Sequence, residues 1–554
     1  MGKKIFFIIL IASGIFLRLY KINEIPAGFF IDEATIAVDS KVIAQNGMDE
    51  YGRAFPFAFE ALSDYRPPGY VYLTALVFKF LGPSLLTVRF VALVSSIIGI
   101  FLLGYLTKLL FPQRKLLPYI SMAVISTSQF HIHFSRIGYE TTLATTLMLG
   151  FFVSLLILFK KRSFLWTIIG AICIIVSFWT YPGSKFIIPV LTGLLLVMGL
   201  LKSTYELNRK NVIYYSLFFL GICVIAYIPS IIHPLFDKRP ISYIKEGTNG
   251  TLLGIITTKP LLLLSSWLYM FDFNFLFKNG DLFAYRHSTK EQGIFLSIFL
   301  VPFVLGLMAT IRRFSNKSFS ITFLIILTVV LGIPSALTSN TPYGTRILPI
   351  IIPFSIFIAL GIDIILSEID KLKIWLKFTT YALLISIVTF QLLLFSHIYF
   401  VHFKTTSLPE FPQAGADMAK FVKNYRQQHP KDLVYFLNAR SCRQWSHDDL
   451  NLWYFADLNN IEMIKWNNLF REKRYKYINP FDAYDRITIP PYSFENLKLY
   501  AGYDEMEEAP RGSLLVRCGL HLESIKPYKD KIIKIFYMYP DENREPYYIL
   551  SKKL

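Results

Sequence analysis

Long apolar stretches recur along the first 400 residues, and they decide what this chain can fold into. A helix needs about 20 apolar residues to cross a bilayer, and about eleven stretches approach that length. They centre on residues 5–20, 86–107, 116–132, 141–159, 164–180, 184–201, 211–232, 293–311, 319–337, 347–366 and 378–399. With 54% hydrophobic and 17% charged residues, a disordered chain, a coiled coil and a small disulfide scaffold are excluded, and an ordinary soluble enzyme is disfavoured. The first stretch begins with Lys3-Lys4 but lacks a small-residue cleavage site, and Arg18 and Lys21 close it, so it reads as a retained span. The expected fold class is an all-α polytopic membrane protein of about eleven transmembrane helices, followed by a soluble mixed α/β domain.

Lys and Arg in short loops set the orientation. Basic clusters at Lys3-Lys4, Lys108 with Arg114-Lys115, Lys160-Lys161-Arg162, Lys202 with Arg209-Lys210, Arg312-Arg313 with Lys317, and Lys371-Lys373-Lys377 fall on alternate ends of the spans. All can face the cytoplasm, with the N-terminus inside and the C-terminus outside. Residues 400–554 contribute only +3 of the net charge of +19, so membrane topology accounts for most of the basicity and no nucleic-acid footprint is evident.

Residues 1–399 form the expected membrane domain, with outer loops at 21–85 and 233–292, and residues 400–554 the extracytoplasmic domain. The tail loses the long apolar runs and gains alternation, as in LVYFLNAR and KIIKIFYMY, beside a helix-like PQAGADMAKFVKNY. At about 150 residues it is large enough for a core of its own. Cys173 and Cys223 read as buried packing, whereas Cys442 and Cys518 are open to pairing or to remaining free thiols. Residues 69–82, GYVYLTALVFKFLG, are apolar but short; an in-plane or half-inserted helix is expected, with a short true span as the alternative.

Residues 21–85 hold eight carboxylates against five basic residues in a chain that is otherwise basic. Asp32-Glu33 sits where this loop meets the lipid surface, after Phe29-Phe30-Ile31 and before a helix-like run. Adjacent, partly buried carboxylates favour protonation, which suits a general base acting on a hydroxyl. The other reading is a pair of acids at a helix N-terminus, complementing its dipole. The loop ends in DYRPPGY, where Pro67-Pro68 stiffen the chain beside Asp64 and Arg66. This is either a turn before a helix or an ion pair that fixes the loop beneath a substrate.

The ordered set Asp32-Glu33-Ala34, Asp49-Glu50-Tyr51-Gly52, Asp64-Tyr65-Arg66-Pro67-Pro68-Gly69-Tyr70 and Val88-Arg89 resembles the membrane glycosyltransferases of the GT-C superfamily. The resemblance is to the protein-mannosyltransferase and lipid-A-aminoarabinose-transferase type. Arg66 stands where that branch often has Lys, and Gly69 where it has Leu. The resemblance implies a GT-C-like membrane domain and an inverting transfer of sugar from a polyprenyl phosphate, with Asp32 and Glu33 as the catalytic carboxylates.

Three further elements lie on the outer side of the expected topology. Residues 131–140, HIHFSRIGYE, crowd His131, His133, Arg136 and Glu140 between two spans, where ionisable groups are functional candidates by default. A cap and helix start is the other reading, and the spacing of His131 and His133 gives poor support for a metal site. FKNGDLFAYRHSTKEQG has a turn at Asn279-Gly280-Asp281 and then Arg286-His287, a source of cation and proton chemistry or a solvated loop. TSNTPYGTRILP sets Tyr343 and Arg346 at the end of a span, where an Arg can also snorkel to headgroups. The resemblance extends to each element and implies that Arg346 holds the donor phosphate, a task suited to a planar guanidinium, with Arg89 and Arg136 next. Asp64, Arg66, Glu140, Arg286, His287 and Tyr343 are the implied substrate-binding or supporting residues.

The implied chemistry needs no cofactor beyond the lipid-linked donor, with divalent metal left open. Glu246-Gly247-Thr248-Asn249-Gly250 lacks the Lys and spacing of a P-loop. The expected partners are membrane lipid, a polyprenyl-phosphate sugar and a glycan, protein or lipid acceptor, without nucleic acid. Two other functions stay in competition. A transporter or flippase of lipid-linked sugars would show internal repeats and broken helices, and none is clear. A membrane-anchored polymer-binding or assembly protein would depend on residues 403–554 and not on Asp32.

Overall fold

The structure is a computed structural model that describes residues 2–61, 64–201, 207–232, 260–314, 318–337, 343–436, 453–456, 458–474, 492–499, 509–518, 530–537 and 546–553. The chain divides into two units. One comprises Met1–Ile22, Asp64–Tyr70 and Arg89–Val401; the other comprises Asn23–Ser63, Val71–Val88 and His402–Leu554.

The first unit is helical. Each apolar stretch read from the sequence forms a helix, from Gly2–Leu19 and Leu85–Leu110 through Glu140–Lys160 to Ile351–Ile369 and Ile374–His397. Among the described residues, 7 helices are long and apolar enough to cross a membrane: Leu85–Leu110, Glu140–Lys160, Arg209–Ser230, Pro260–Lys278, Phe319–Ala336, Gly344–Ile369 and Ile374–Thr406. Length and apolarity alone therefore support seven crossings, against the eleven expected. Leu117–Ser126, Phe164–Phe178 and Ser184–Leu200 are apolar but shorter, and Gly2–Leu19 carries Lys3, Lys4 and Arg18. Pro260–Lys278 falls inside 233–292, the outer loop expected from the sequence. Its hydropathy of 1.3 is the lowest of the seven, and 3-10 and π turns interrupt it, so its pattern is weak.

Ion pairs and caps gather the basic helix ends. Lys3 and Lys377 both pair with Asp370, the C-cap of helix Ile351–Ile369, and Arg114 pairs with Asp363 within that helix. Lys160 Nζ donates to Leu109 O at 3.0 Å, beside the Arg114 turn. The clusters at Lys3, Arg114, Lys160 and Lys377 thus share one end of the unit, as an alternating charge pattern requires. Gly69–Leu81 is a helix of 13 residues. At 1.5 Å per residue that is about 20 Å, short of a bilayer's hydrocarbon core.

The second unit is mixed α/β. Its six-stranded sheet runs Tyr492–Phe494, Leu497–Leu499, Val434–Phe436, Leu514–Cys518, Pro546–Lys553, Asp530–Tyr537. Val434–Phe436 pairs in parallel with both neighbours, and the other pairs are antiparallel. Helix Gln413–Gln428 buries Met418, Ala419, Val422 and Tyr425 at helical spacing, and its apolar side covers the sheet. Ala34, Ala37, Val38 and Val42 of helix Ile31–Asn46 enter the same core as Val434, Trp453, Trp466 and Leu514. Residues of the 21–85 segment and of the tail therefore share one core. Cys442, the side chain of Cys518, residues 233–259 and the side chain of Asp64 lie outside the described residues.

Candidate functional site

Asp32 and Glu33 stand in the first turn of helix Ile31–Asn46, behind an N-cap, Phe30, that offers no side-chain bond. They supply the negative charge that a helix N-terminus favours. Glu33 is fully buried and Asp32 half-buried. Burial, and then the Glu33 carboxylate, push the nearby Tyr454 phenol well above its ordinary value. The placement fits both readings of the pair, helix start and base.

Asp49-Glu50-Tyr51-Gly52 knots the same unit. Asp49 Oδ1 accepts from the N–H groups of Tyr51 (3.0 Å) and Arg53 (2.8 Å), and Oδ2 accepts from Arg53 Nε (2.6 Å). The Glu50 N–H donates to Asp39 Oδ1 at 3.1 Å, and Asn467 Nδ2 donates to Glu50 O at 3.1 Å. This part of the resembling pattern closes a loop.

In the helical unit, Asp64 and Arg66 lie on the short strand Asp64–Arg66, with the Arg66 side chain buried. The Gly69 N–H donates to Trp179 O at 2.6 Å. A Cβ at Gly69 would lie 2.5 Å from Thr180 Oγ1 and 2.8 Å from Trp179 O, so glycine, not the leucine of the resembling branch, lets the corner sit on this backbone.

Three buried guanidiniums bind backbone carbonyls there, two of them at helix ends. Arg18 Nη1 donates to Gly14 O (2.7 Å) and Ser126 O (2.6 Å), and Nη2 to His131 Nδ1 (2.9 Å). Arg136 Nη1 donates to Leu17 O (2.8 Å) and Arg18 O (3.0 Å), and its guanidinium lies over the Tyr399 and Phe400 rings. Arg89 Nη1 donates to Ile22 O at 2.8 Å. The last carbonyls of a helix have no intrahelical donor; Arg18 supplies one at Ser126 and Arg136 at Leu17 and Arg18, whereas Arg89 holds the chain at Ile22, just past the end of Gly2–Leu19. Glu140, buried, is the first residue of helix Glu140–Lys160. From the sequence, Arg18 is expected only as a charge that ends a span.

His133 connects this cluster to the loop before residue 292. Its Nε2 lies 2.9 Å from Arg286 O and its Nδ1 3.1 Å from the Tyr399 hydroxyl. A carbonyl only accepts, so Nε2 carries the hydrogen and Nδ1 accepts from Tyr399. Burial pushes this imidazole down to about 3, which keeps it neutral.

The densest arrangement lies around Asp281. Its Oδ1 accepts from the Phe283 N–H at 2.8 Å, the mark of an Asx turn. Its Oδ2 accepts from His287 Nδ1 at 2.8 Å and from the Gly344 N–H at 2.7 Å. The His287 ring meets the Tyr343 ring edge-to-face at 4.7 Å, and Arg346 stacks its guanidinium on Tyr343 at 4.8 Å. One carboxylate thus joins His287 to the segment that carries Tyr343 and Arg346, and Arg286 adjoins through its carbonyl. The sequence marks His287, Tyr343 and Arg346 as candidates; Asp281 stands there as a turn residue within the resembling Gly-Asp…Arg-His element, without a role of its own. Among the described residues no group of three or more His, Cys, Asp or Glu is placed to hold a metal ion.

No family model and no characterised protein matches the sequence. Solved structures do match in fold. ArnT from Cupriavidus metallidurans, bound to undecaprenyl phosphate, superposes with a TM-score of 0.53 at 10% identity over 99% of this chain and 98% of ArnT. The oligosaccharyltransferase AglB from Archaeoglobus fulgidus, in complex with an inhibitory peptide and a dolichol-phosphate, gives 0.50 at 13% identity over 82% of this chain. The chain spans 64% of the length of that AglB. The chain is similar in fold to ArnT and AglB.

Proposed function

We propose that the protein is a multi-pass membrane glycosyltransferase. It moves a hexose or pentose from a polyprenyl phosphate to an acceptor hydroxyl at the outer face, with inversion at the anomeric carbon. The observation that carries this reading is the cluster of Asp281, His287, Tyr343 and Arg346, on a fold shared with a protein held with undecaprenyl phosphate. In this reading Asp32 takes the acceptor proton and Glu33 positions the acceptor or shares the proton load. Arg346 pairs with the donor phosphate. The buried guanidiniums of Arg89 and Arg136 add positive potential there, where charge develops as the phosphate departs. Asp64, Arg66, Glu140, Arg286, His287 and Tyr343 support the two substrates. Residues 1–399 serve as the membrane domain and 400–554 as the extracytoplasmic one, with the N-terminus in the cytoplasm.

The test is Asp32→Asn in membranes supplied with labelled undecaprenyl-phosphate sugars. Removing a general base lowers transfer by about 10²–10⁴-fold. Full transfer by the variant refutes the assigned base.

A further inference from the structure

We infer that His287 is the proton donor to the departing phosphate and that Asp281 is the positioning residue that holds it for this task; the inference rests on the transferase reading. His287 is buried, with 1% of its surface exposed, and among the described residues its Nε2 has no hydrogen-bond partner. Leaving a buried polar atom unpaired costs about 1–3 kcal/mol, so such an atom in a well-packed site asks for a ligand. The other ring nitrogen is fixed: a carboxylate only accepts, so Nδ1 carries a hydrogen and donates it to Asp281 Oδ2 at 2.8 Å. Nε2 is then the ring atom left for chemistry. Asp281 cannot turn away, because the Phe283 and Gly344 N–H groups hold both its oxygens. Phe134 and Phe283 stack on the ring and Tyr343 meets it edge-on, which fixes its plane.

The reaction has a use for such a donor. The acceptor oxygen forms a bond to the anomeric carbon, and its proton goes to the carboxylate base. The bond from that carbon to the phosphate oxygen breaks, and its electron pair stays on the oxygen. The phosphodiester donor carries one negative charge and the departing polyprenyl phosphate would carry two. The Nε2 proton bonds to that second charge or passes to it, leaving neutral imidazole, and solvent returns the proton afterwards. A hydrogen bond that strengthens only as charge develops raises kcat more than it lowers KM. The titratable and charged groups around His287 are Asp281 at Nδ1, neutral His133 across the Arg286 carbonyl, Arg286 itself, and Tyr343 with Arg346 on its far side. Of these only Asp281 is an acid.

The experiment uses the full chain in nanodiscs. His287→Ala lowers kcat about 100-fold with a small change in KM, the size of a lost oxyanion donor. Added imidazole restores part of that kcat. Asp281→Asn moves the alkaline limb of the kcat profile to lower pH, because the imidazolium loses its counter-charge; a structural role alone would leave that limb in place. Wild-type kcat in His287→Ala, or an unmoved limb in Asp281→Asn, overturns the inference. Undecaprenyl phosphate binding is measured beside it, and His287→Ala is expected to weaken it about tenfold, a loss of one charge-assisted hydrogen bond. If the wild type transfers no sugar, the transferase reading fails; equal binding of undecaprenyl phosphate by wild type and His287→Ala then overturns the proton-donor assignment separately.

Discussion

Gly344→Ala isolates the junction between Asp281, His287 and the Arg346 segment. A Cβ at this position would stand 2.7 Å from His287 Cβ and 2.8 Å from Asp281 Oδ2, closer than side chains pack, on a backbone that alanine otherwise adopts without strain. Neither neighbour can yield cheaply. His287 is wedged between aromatic rings, and Asp281 holds three hydrogen-bond donors at once. Overpacking of this kind costs about 1–3 kcal/mol. If the whole cost falls on the placement of Tyr343 and Arg346, transfer drops by about 5-fold to 150-fold, at 1.36 kcal/mol per decade. Gly193→Ala is the control: its Cβ meets nothing within 4 Å, and it lies within helix Ser184–Leu200. Alanine there is neutral or stabilises by about 0.5–1 kcal/mol. The assay pairs the thermal midpoint in detergent with transfer from labelled undecaprenyl-phosphate sugar. A Gly344→Ala protein with the wild-type midpoint and full transfer would show that this close approach does not matter, and the argument for Asp281 as the joining carboxylate would fall with it.

Arg53→Met leaves the Asp49 and Glu60 carboxylates, both buried, without the guanidinium beside them; a loss of about 3–5 kcal/mol is expected in denaturant unfolding of the second unit, and an unchanged midpoint counts against it. Asp370 titrates at about 2, held down by hydrogen bonds from Lys3 and then Lys377. Its contribution is therefore complete above the ordinary carboxylate pKa and fades as pH falls from about 4 towards 2; with the pair well exposed it amounts to a few tenths of a kcal/mol, absent from Asp370→Asn across the same titration. Arg136→Leu and Arg346→Leu should part company. The first removes the donor to Leu17 O and Arg18 O and lowers the thermal midpoint, whereas the second keeps the midpoint and loses transfer; the reverse pattern would exchange their assigned roles.

The helices were legible because apolar length is a local property. The tail's helix was legible too: PQAGADMAKFVKNY carries its core side in its own spacing, and Gln413–Gln428 forms there. Strands at Val434–Phe436 and Asp530–Tyr537 arise where alternation suggested them, but their neighbours in the sheet come from distant segments that alternation cannot choose. Pro260–Lys278 was missed because Asp272 and broken helical turns dilute an apolar run. Asp281 shows the limit most sharply. Its bond to the Phe283 N–H is local, and a turn was the correct reading of that oxygen. Its other oxygen meets an N–H group 63 residues further along, at Gly344, and nothing in either segment announces the meeting. Gly69 was a departure from the resembling pattern without a reason until the Trp179 carbonyl supplied one.

Arg18 carries the electrostatic argument one step further. It is fully buried, and its hydrogen-bond acceptors are the carbonyls of Gly14, Ser126 and Ile125 and the Nδ1 of His131. A guanidinium bonded to an imidazole nitrogen leaves that nitrogen no hydrogen of its own, and burial and the Arg18 charge both push His131 well below its ordinary value. These acceptors are all neutral. A helix C-terminus offers about half a negative charge, less than the cation it holds. Arg18 is thus oriented by dipoles that satisfy its N–H groups without cancelling its charge, and its field reaches the surrounding site through a poorly polarisable interior. A cation held in this way raises the affinity of its end of the helical unit for an anionic headgroup without touching it. Arg18→Met should therefore weaken undecaprenyl phosphate binding in nanodiscs that remain folded, and equal affinity would confine Arg18 to closing the ends of Gly2–Leu19 and Leu117–Ser126.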